Sequence, residues 1–217
     1  MSGELWLIGC GDIFETIAAA WPAIEPDTVL HVVRLESPAA IATPFEERLA
    51  AASPQPRVFA ALDQSALNFA RFDVYARLRL GGRRFCTLIH PSAIVDATAK
   101  LGENVWIGAG AVIEARSSIG HNTFVGTRAL VLGAAELAAH GWVGAAASVG
   151  ARAKIGTHCV IGADVRIGAG VEVGRFSSIE RPGHYAEPIA ERTYIDALFE
   201  LPVRIYGSAR KQAGTAG

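Results

Sequence analysis

Aliphatic residues recur at every sixth position from Ile89 to Ile179. All sixteen steps fall on Ile, Val or Leu, and glycine follows the aliphatic residue in ten of them. The position four residues later is small or β-branched throughout. A helix repeats at about 3.6 residues, so a period of six excludes one, whereas short strands joined by corners fit it. Three such edges make a triangular coil, and the pattern predicts a parallel β-helix of a little over five coils.

The first 88 residues lack this period and alternate between strand-like and helix-like patterns. Strands are predicted over residues 4–8, 28–35 and 57–62, and helices over 13–21, 44–52 and 64–80. This alternation is typical of a small parallel sheet surrounded by helices, which makes the front of the chain an α/β domain.

Three parts of the chain follow from these patterns. We predict a Rossmann-like domain over 1–88, a hexapeptide-repeat β-helix over 89–183 and a C-terminal cap with a tail over 184–217. In the last part, residues 188–199 are expected to form a helix and residues 201–206 to cap the open end of the β-helix. Residues 207–217 are expected to be disordered.

A glycine turn follows the first predicted strand. Gly9 and Gly11 stand where a strand meets a helix, followed by Asp12, and free backbone N–H groups at such a turn can hold a phosphate. Phe14 occupies the place of a third glycine, so the motif is only half of the dinucleotide fingerprint. A tight turn without any ligand is the alternative.

Composition argues against a nucleic-acid-binding protein, a membrane-spanning protein and a cysteine metal site. The 217 residues are 51% hydrophobic, and 20 basic and 21 acidic residues are mixed along the chain, which leaves no basic stripe for nucleic acid. No apolar run reaches the length of a membrane span, and residues 1–15 have no basic lead before their short apolar run. Three widely spaced cysteines have no metal-type spacing. We therefore expect a cytoplasmic protein with reduced thiols.

The short front domain, the linker LIHPSAIV at 88–95 and the uninterrupted hexads together resemble the bacterial nucleotide-sugar acetyltransferases related to the sialic-acid O-acetyltransferases. The resemblance implies a left-handed β-helix, a homotrimer, and acetyl-CoA as acyl donor in a groove between two β-helices. It implies an acceptor amino or hydroxyl group on a nucleotide-linked sugar, in surface-polysaccharide or related biosynthesis. On this basis cofactor contacts are assigned to Trp142, Gly144 and Gly162, and substrate contacts to Gly9, Gly11, Asp12, Asp63 and Gln64.

The chain departs from this family where the catalytic base is expected. The family's Glu-His-Asp run falls on Leu132-Gly133-Ala134, so Gly133 takes the histidine position, and a second family histidine becomes Trp142. A frequent arginine of the nucleotide site is Leu67 here. A catalytically silent relative that binds a nucleotide sugar or acyl-CoA, or that scaffolds a partner enzyme, is therefore the alternative to an active acyltransferase.

Three histidines project from one corner of successive coils. His121, His140 and His158 follow inward residues that are eighteen apart, and His140 and His158 should stack about one strand spacing from each other. They form either a solvated corner, or a relocated general base at His140 or His121, or a metal site. Three imidazoles suit zinc, as in trimeric β-helix carbonic anhydrases, but the paired-histidine spacing of those enzymes is absent and no metal is assigned.

An aromatic column lies on one outer face of the predicted β-helix. Trp106, Phe124 and Trp142 are eighteen residues apart and each precedes an inward residue, so all three point outward from the same face. Large apolar patches of this kind usually meet a partner. We expect this face to pack on another subunit of the trimer, or else to be covered by the C-terminal segment.

Overall fold

The computed structural model describes residues 3–37 and 56–204, in which a small α/β domain precedes a parallel β-helix, the predicted fold class. The helix predicted over 44–52 and the tail over 207–217 lie outside the described residues. In the described part of the chain, no helix is long and apolar enough to cross a membrane. The predicted boundaries after residues 88 and 183 stay predictions.

The front domain, residues 3–37 and 56–85, is built on a four-stranded parallel sheet in the order β2-β1-β3-β4. Its strands are β1 (Glu4–Cys10), β2 (Val29–Arg34), β3 (Arg57–Leu62) and β4 (Arg84–Phe85). Helix α1 (Asp12–Ile24) follows β1 and continues past Pro22, one turn beyond its predicted end. Helix α2 (Phe69–Leu80) follows β3.

The second part is a β-helix whose short strands stack into three faces. Face 1 holds Leu88–Ile89, Trp106–Ile107, Phe124–Val125, Trp142–Val143, Val160–Ile161, Ser178–Ile179, Thr193–Ile195 and Val203–Arg204. Face 2 holds Ile94–Val95, Val112–Ile113, Leu130–Val131, Ser148–Val149, Val165–Ile167 and Gly183–Tyr185. Face 3 holds Lys100–Leu101, Ser118–Ile119, Glu136–Leu137, Lys154–Ile155 and Glu172–Val173.

The register of the coils confirms the period of eighteen. On face 1, Ile107 pairs with Val125, Val125 with Val143, and Val143 with Ile161, all parallel. These inward side chains are at most 1% exposed and form the core of the β-helix. Burial of each such side chain contributes about 1.5–3 kcal/mol, so the hexads supply the stability of this part.

Glycine in the hexads serves close stacking of coils. A Cβ on Gly144 would lie 2.6 Å from Ala163 N, and one on Gly150 would lie 2.5 Å from Ala169 N. The positive φ angles fall two residues later, at positions such as Asn122, His140 and His158. The glycine therefore admits the backbone of the next coil, and the left-handed conformation of the corner lies at the residue two positions later.

The end of the β-helix differs from the prediction. Residues 188–199 form no helix: Ile189 bridges to Val173, and Thr193–Ile195 pairs in parallel with Ser178–Ile179. The chain thus completes one more, irregular coil after the hexads stop. Val203–Arg204 then pairs antiparallel with Thr193–Ile195 and covers that edge strand, within the segment predicted to cap it.

A left-handed segment replaces the first turn of the predicted helix over 64–80. Ala66, Leu67 and Asn68 have φ angles of 43, 53 and 64°. Non-glycine residues visit this region singly, at a cost of about 1–2 kcal/mol each, so three in a row must be held by their surroundings. Helix α2 begins only at Phe69.

Asn104 ties the two parts together. Its side chain is 2% exposed and lies against β3, where it accepts a hydrogen bond from Ala60 N (2.8 Å) and donates one to Ala60 O (3.1 Å). The amide also donates to Asn122 Oδ1 at 2.7 Å. One corner side chain thus satisfies a buried backbone edge that would otherwise lack partners.

Replacing Asn104 with glycine should lower the free energy of unfolding by about 2–3 kcal/mol, because the change strips partners from buried groups. Glycine keeps the left-handed backbone of Asn104 (φ 54°), so the loss reports the hydrogen bonds. Urea denaturation measures it. Arg152→Gly is the matched control, since Arg152 is an exposed corner residue with φ 59°. Equal effects of the two changes would contradict the role of Asn104.

Candidate functional site

A cleft of about 470 Å³ lies between the front domain and the β-helix. The front domain contributes residues at the carboxyl ends of β1 and β3, which are Asp12, Ile13, Thr16, Asp63 and Gln64. The β-helix contributes Trp106, Phe124, Gly126, Thr127, Trp142, Gly144, Ala145 and Ala163. The carboxyl edge of a parallel sheet is where α/β folds place ligands. The cleft thus brings together five of the residues that were assigned to substrate or cofactor contacts: Asp12, Asp63, Gln64, Trp142 and Gly144.

The glycine turn shapes one wall of the cleft without lining it. A Cβ on Gly9 would lie 1.6 Å from Ala61 O, so glycine lets β1 approach β3. Gly11 has φ 91°, and a Cβ there would lie 2.1 Å from Asp63 Oδ2. Both glycines are therefore required by packing. Direct contact of Gly9 and Gly11 with a substrate stays a prediction.

Asp63 occupies the start of helix α1. Its carboxylate accepts hydrogen bonds from Asp12 N and Ile13 N, both at 2.8 Å. These amides carry the positive end of the helix dipole, which a carboxylate stabilises. The expectation that the backbone amides of this turn are free to hold a phosphate is thus wrong for these two, because an internal anion already takes them.

The aromatic column is covered by the chain's own front domain. Trp106 is 3% and Phe124 8% exposed, and both pack in one cluster with Leu7, Phe14 and other apolar residues of β1, β3 and α1. Phe124 and Trp142 stack with ring centroids 3.8 Å apart. The prediction that Trp106, Phe124 and Trp142 form a subunit contact, or lie under the C-terminal segment, is therefore wrong. The apolar patch exists as predicted, but the front domain of the same chain covers it.

The histidine corner lies under helix α2. The rings of His140 and His158 are 4.8 Å apart, as the eighteen-residue period predicted. Phe72 covers both rings, and Phe69 stacks on His158 with centroids 4.3 Å apart. His158 is 6% exposed, whereas His121 is exposed. The corner is an interdomain contact at two of its three positions, and none of the three histidines lines the cleft.

Hydrogen bonds fix which ring nitrogens carry protons. His158 Nδ1 lies 2.9 Å from Leu67 O and must donate to it. His140 Nδ1 lies 3.2 Å from Asn122 Nδ2, an amide that donates because its oxygen is already bonded to Asn104. His121 Nδ1 accepts from Glu103 N at 3.0 Å. His140 and His121 therefore carry their proton on Nε2, which then acts as a donor.

Burial, together with neighbouring positive charge, lowers the pKa of His140 and of His158. Burial, with contributions from His158, Arg71 and His121, lowers the pKa of His140 to about 4. Burial also lowers the pKa of His158. Arg71 is 4% exposed and donates to Asn122 O (3.1 Å) and Gly141 O (2.8 Å), and burial lowers its pKa to about 9. The guanidinium carbon of Arg71 also lies 5.5 Å from the ring centre of Trp142, which joins the corner to the cleft.

A carboxylate lies beside Gly133, where the resemblance expects the histidine base. Gly133 N donates to Glu114 Oε2 at 2.7 Å, and a Cβ on Gly133 would lie 3.5 Å from the same oxygen. Glu114 is exposed and follows an inward residue on face 2 one coil earlier. The sequence pattern does not single out Glu114, because it is one of two glutamates that directly follow an inward residue.

The residues assigned to the cofactor divide into two kinds. Trp142 and Gly144 line the cleft, whereas Gly162 lies at the same corner one coil further on. A Cβ on Gly162 would lie 2.9 Å from Glu180 Cα, so coil stacking alone requires this glycine. Their contact with a cofactor stays a prediction. Among the described residues, no group of three or more His, Cys, Asp or Glu side chains could hold a metal ion.

Sequence reasoning also missed Asn68 and Arg71, which bind the corner from the front domain. Asn68 is fully buried and its Nδ2 donates to His140 O at 3.0 Å. Both residues lie in a segment predicted to be an ordinary helix, and nothing in its pattern points to partners that lie 51 to 72 residues away. The one signal was polarity, because an asparagine and an arginine follow the cleft residues at helical spacing.

Comparison with known families and structures supports this architecture. Residues 85–171 match the family described as the GMPPB C-terminal domain. No curated protein sequence matches the chain significantly.

Solved structures match over almost the whole chain. PerB from Caulobacter crescentus, described in complex with CoA and GDP-perosamine, is 23% identical with a TM-score of 0.76, over 89% of this chain and 93% of that one. A histidine-to-asparagine variant of perosamine N-acetyltransferase from the same organism is 24% identical with a TM-score of 0.74, at the same coverage. The acetyltransferase domain of PglB from Neisseria gonorrhoeae is 22% identical with a TM-score of 0.61, over 88% of this chain and 95% of that one. At these identities the likeness shows the shared fold, a left-handed β-helix behind a small α/β domain.

Lowering the pH from 7 to 4 should weaken the histidine corner. The folded state lowers the pKa of His140 from 6.5 to about 4, so within this window the unfolded chain binds a proton that the folded chain does not. The free energy of unfolding therefore falls as the pH falls through the window and levels off below it. Urea denaturation at several pH values should show a smaller fall for His140→Asn, which suits the left-handed backbone. The same pH dependence in both proteins would contradict the lowered pKa.

Proposed function

We propose that this protein is an acetyltransferase that moves the acetyl group of acetyl-CoA to an amino or hydroxyl group of a nucleotide-linked sugar. The observation that carries the proposal is the cleft, where polar residues of the front domain (Asp12, Asp63, Gln64) meet the β-helix at Trp142 and Gly144. Support comes from proteins of the same fold whose structures are described with CoA, acetyl coenzyme A or GDP-perosamine. Surface-polysaccharide or related biosynthesis is the pathway that fits such a product.

The chemistry of the cleft favours the base or sugar of the nucleotide sugar over its diphosphate. None of the described residues that line the cleft is Lys, Arg or His, and Asp12 and Asp63 carry negative charge there. A diphosphate needs cations or free amide donors, and Asp63 takes two of the amides at the start of α1. Asp12, Gln64 and Thr127 instead offer acceptors and donors for ring nitrogens or hydroxyl groups. The diphosphate would extend beyond the cleft.

The proposed reaction joins the acceptor to the acetyl group in one displacement. The acceptor nitrogen or oxygen attacks the thioester carbonyl, the carbon–sulfur bond breaks, and the thiol of CoA leaves. The acceptor must lose one proton in the process, which a general base accepts and the departing thiolate can finally take up.

Three residues compete for the role of that base. His140 and His121 were predicted from sequence, and because both carry their proton on Nε2, either would have to accept the new proton on Nδ1 in place of its present hydrogen bond. The pKa of His140, about 4, makes it a weak base near neutral pH. Glu114 presents a carboxylate beside Gly133. Replacing the true base should abolish turnover without weakening the binding of either substrate.

A second copy of the chain completes the proposal. Because the front domain covers the aromatic column, another face must serve the homotrimer. Face 2 presents an outward aliphatic column in which Ile94 is 66% and Leu130 37% exposed. Packing of this face against a second copy would also build a groove for acetyl-CoA between two β-helices, as the family resemblance implies.

A catalytically silent binding protein is the second candidate, and the observation that favours it is Gly133. The position expected to carry the family's base has no side chain, and its amide is bonded to Glu114. Such a protein would bind the nucleotide sugar or CoA in the same cleft and groove without releasing thiol.

Incubation with acetyl-CoA and a panel of GDP-, UDP- and dTDP-linked amino sugars should release free thiol at a rate that depends on the sugar. Asp12→Asn should raise KM for the sugar about tenfold, with kcat and the KM for acetyl-CoA little changed, because a cleft carboxylate loses its charge. Asp73→Asn, on the exposed side of α2, is the matched control and should leave all constants unchanged.

The same assay identifies the base. Loss of the base should lower kcat about a hundredfold or more, and Glu114→Gln, His121→Asn and His140→Asn are compared for it. Binding of CoA without turnover on any sugar would reject the acetyltransferase and favour the silent protein. Equal sugar KM values for the wild type and Asp12→Asn would reject the cleft as the acceptor site.

A further inference from the structure

The residues that lead from the cleft to helix α2 run through the left-handed segment Ala66–Asn68. Gln64 lines the cleft, and the segment begins two residues later. Because three consecutive residues with side chains hold positive φ, this backbone relaxes unless other groups fix it. The groups that hold this segment therefore also set the direction of the chain at Asp63 and Gln64, which directly follow β3.

Residues on two coils of the β-helix form hydrogen bonds with this segment. His158 Nδ1 donates to Leu67 O at 2.9 Å, and Asn68 Nδ2 donates to His140 O at 3.0 Å. His158 is 6% exposed and Asn68 is fully buried, so water competes little for either bond. Phe69, the residue after the segment, stacks on the His158 ring with centroids 4.3 Å apart. The imidazole thus holds the segment by its ring face and by its Nδ1 proton.

We propose that His158 is a positioning residue for the cleft: by holding Leu67 O, it keeps the left-handed segment in place and so sets Gln64 and Asp63 against the sugar nucleotide. This inference rests on the proposed function for its ligand. His158 does not line the cleft and acts through the segment. The strained backbone of Ala66–Asn68 lies next to the cleft. Strained backbone is common beside ligand sites, where a rigid wall holds the ligand-binding side chains in place.

The β-helix itself offers a matched variant. Phe176 occupies the corner position one coil beyond His158, with φ 59° against 55° for His158. Its ring lies 5.5 Å from that of His158 and 6.2 Å from that of Phe69. His158→Phe therefore keeps an aromatic ring and a backbone that this corner tolerates, and removes only the donor to Leu67 O. Arg152→Phe, at an exposed corner residue with φ 59° between faces 2 and 3, is the control.

The first measurement needs no ligand. Amide hydrogen exchange across residues 63–69, followed by mass spectrometry of the full chain, should quicken about tenfold in His158→Phe and stay unchanged in Arg152→Phe. Ala66→Gly, which eases one strained residue at an exposed position, should return part of the protection when added to His158→Phe. Unchanged exchange in His158→Phe would overturn the inference.

The second measurement reads the cleft. The Kd of the GDP-linked amino sugar, by calorimetry on folded protein, should rise fivefold to tenfold in His158→Phe, about the loss of one hydrogen bond. The KM for acetyl-CoA and kcat should stay within about twofold, because a positioning residue affects only the sugar. Quicker exchange with an unchanged sugar Kd would overturn the positioning role. A wild-type protein that binds none of the sugar nucleotides would reject the proposed function, while the exchange experiment would still decide whether His158 holds the segment.

Discussion

The burial of the aromatic column beneath the front domain is the contact on which the rest of the structure depends. Trp106 and Phe124 leave the β-helix surface and enter the apolar cluster formed by β1, β3 and α1. This contact fixes which coils of face 1 the front domain packs against. The cleft lies at its edge, the histidine corner lies under α2 on the other side, and Asn104 seals the backbone between them. An apolar face that suggested a partner from sequence is thus used to join two parts of one chain.

The repeat in the sequence predicted more than the fold. A period of eighteen places residues in columns, so the stacking of His140 on His158 and of Phe124 on Trp142 could be predicted by counting. The cleft residues Asp12 and Gln64 were expected from the family resemblance, and both lie in the cleft because the carboxyl ends of parallel strands share one edge of a sheet. The stacking within the columns rests on local regularity, where backbone geometry determines where a side chain lies.

Most of the failures concern contacts between parts of the chain that are separated in sequence. Counting within the β-helix cannot reveal which element covers a column, so Trp106 and Phe124 were assigned to another subunit. The bond from Asn104 to Ala60 spans 44 residues and has no local signature. The helix expected over 188–199 failed because Ile189 and Ile195 pair with the last regular coil, which outweighs a helical pattern. Asp63 capping helix α1 likewise depends on how β1 and β3 are placed side by side.

The central claim is that the sugar nucleotide binds where the two parts of the chain meet, and a crystal structure with acetyl-CoA and a GDP-linked amino sugar tests it most directly. The account predicts electron density for the base or sugar in contact with Asp12 and Gln64 beside Trp142, with the front domain still covering Trp106. Density for the sugar nucleotide elsewhere on the chain, with this cleft empty, would contradict it.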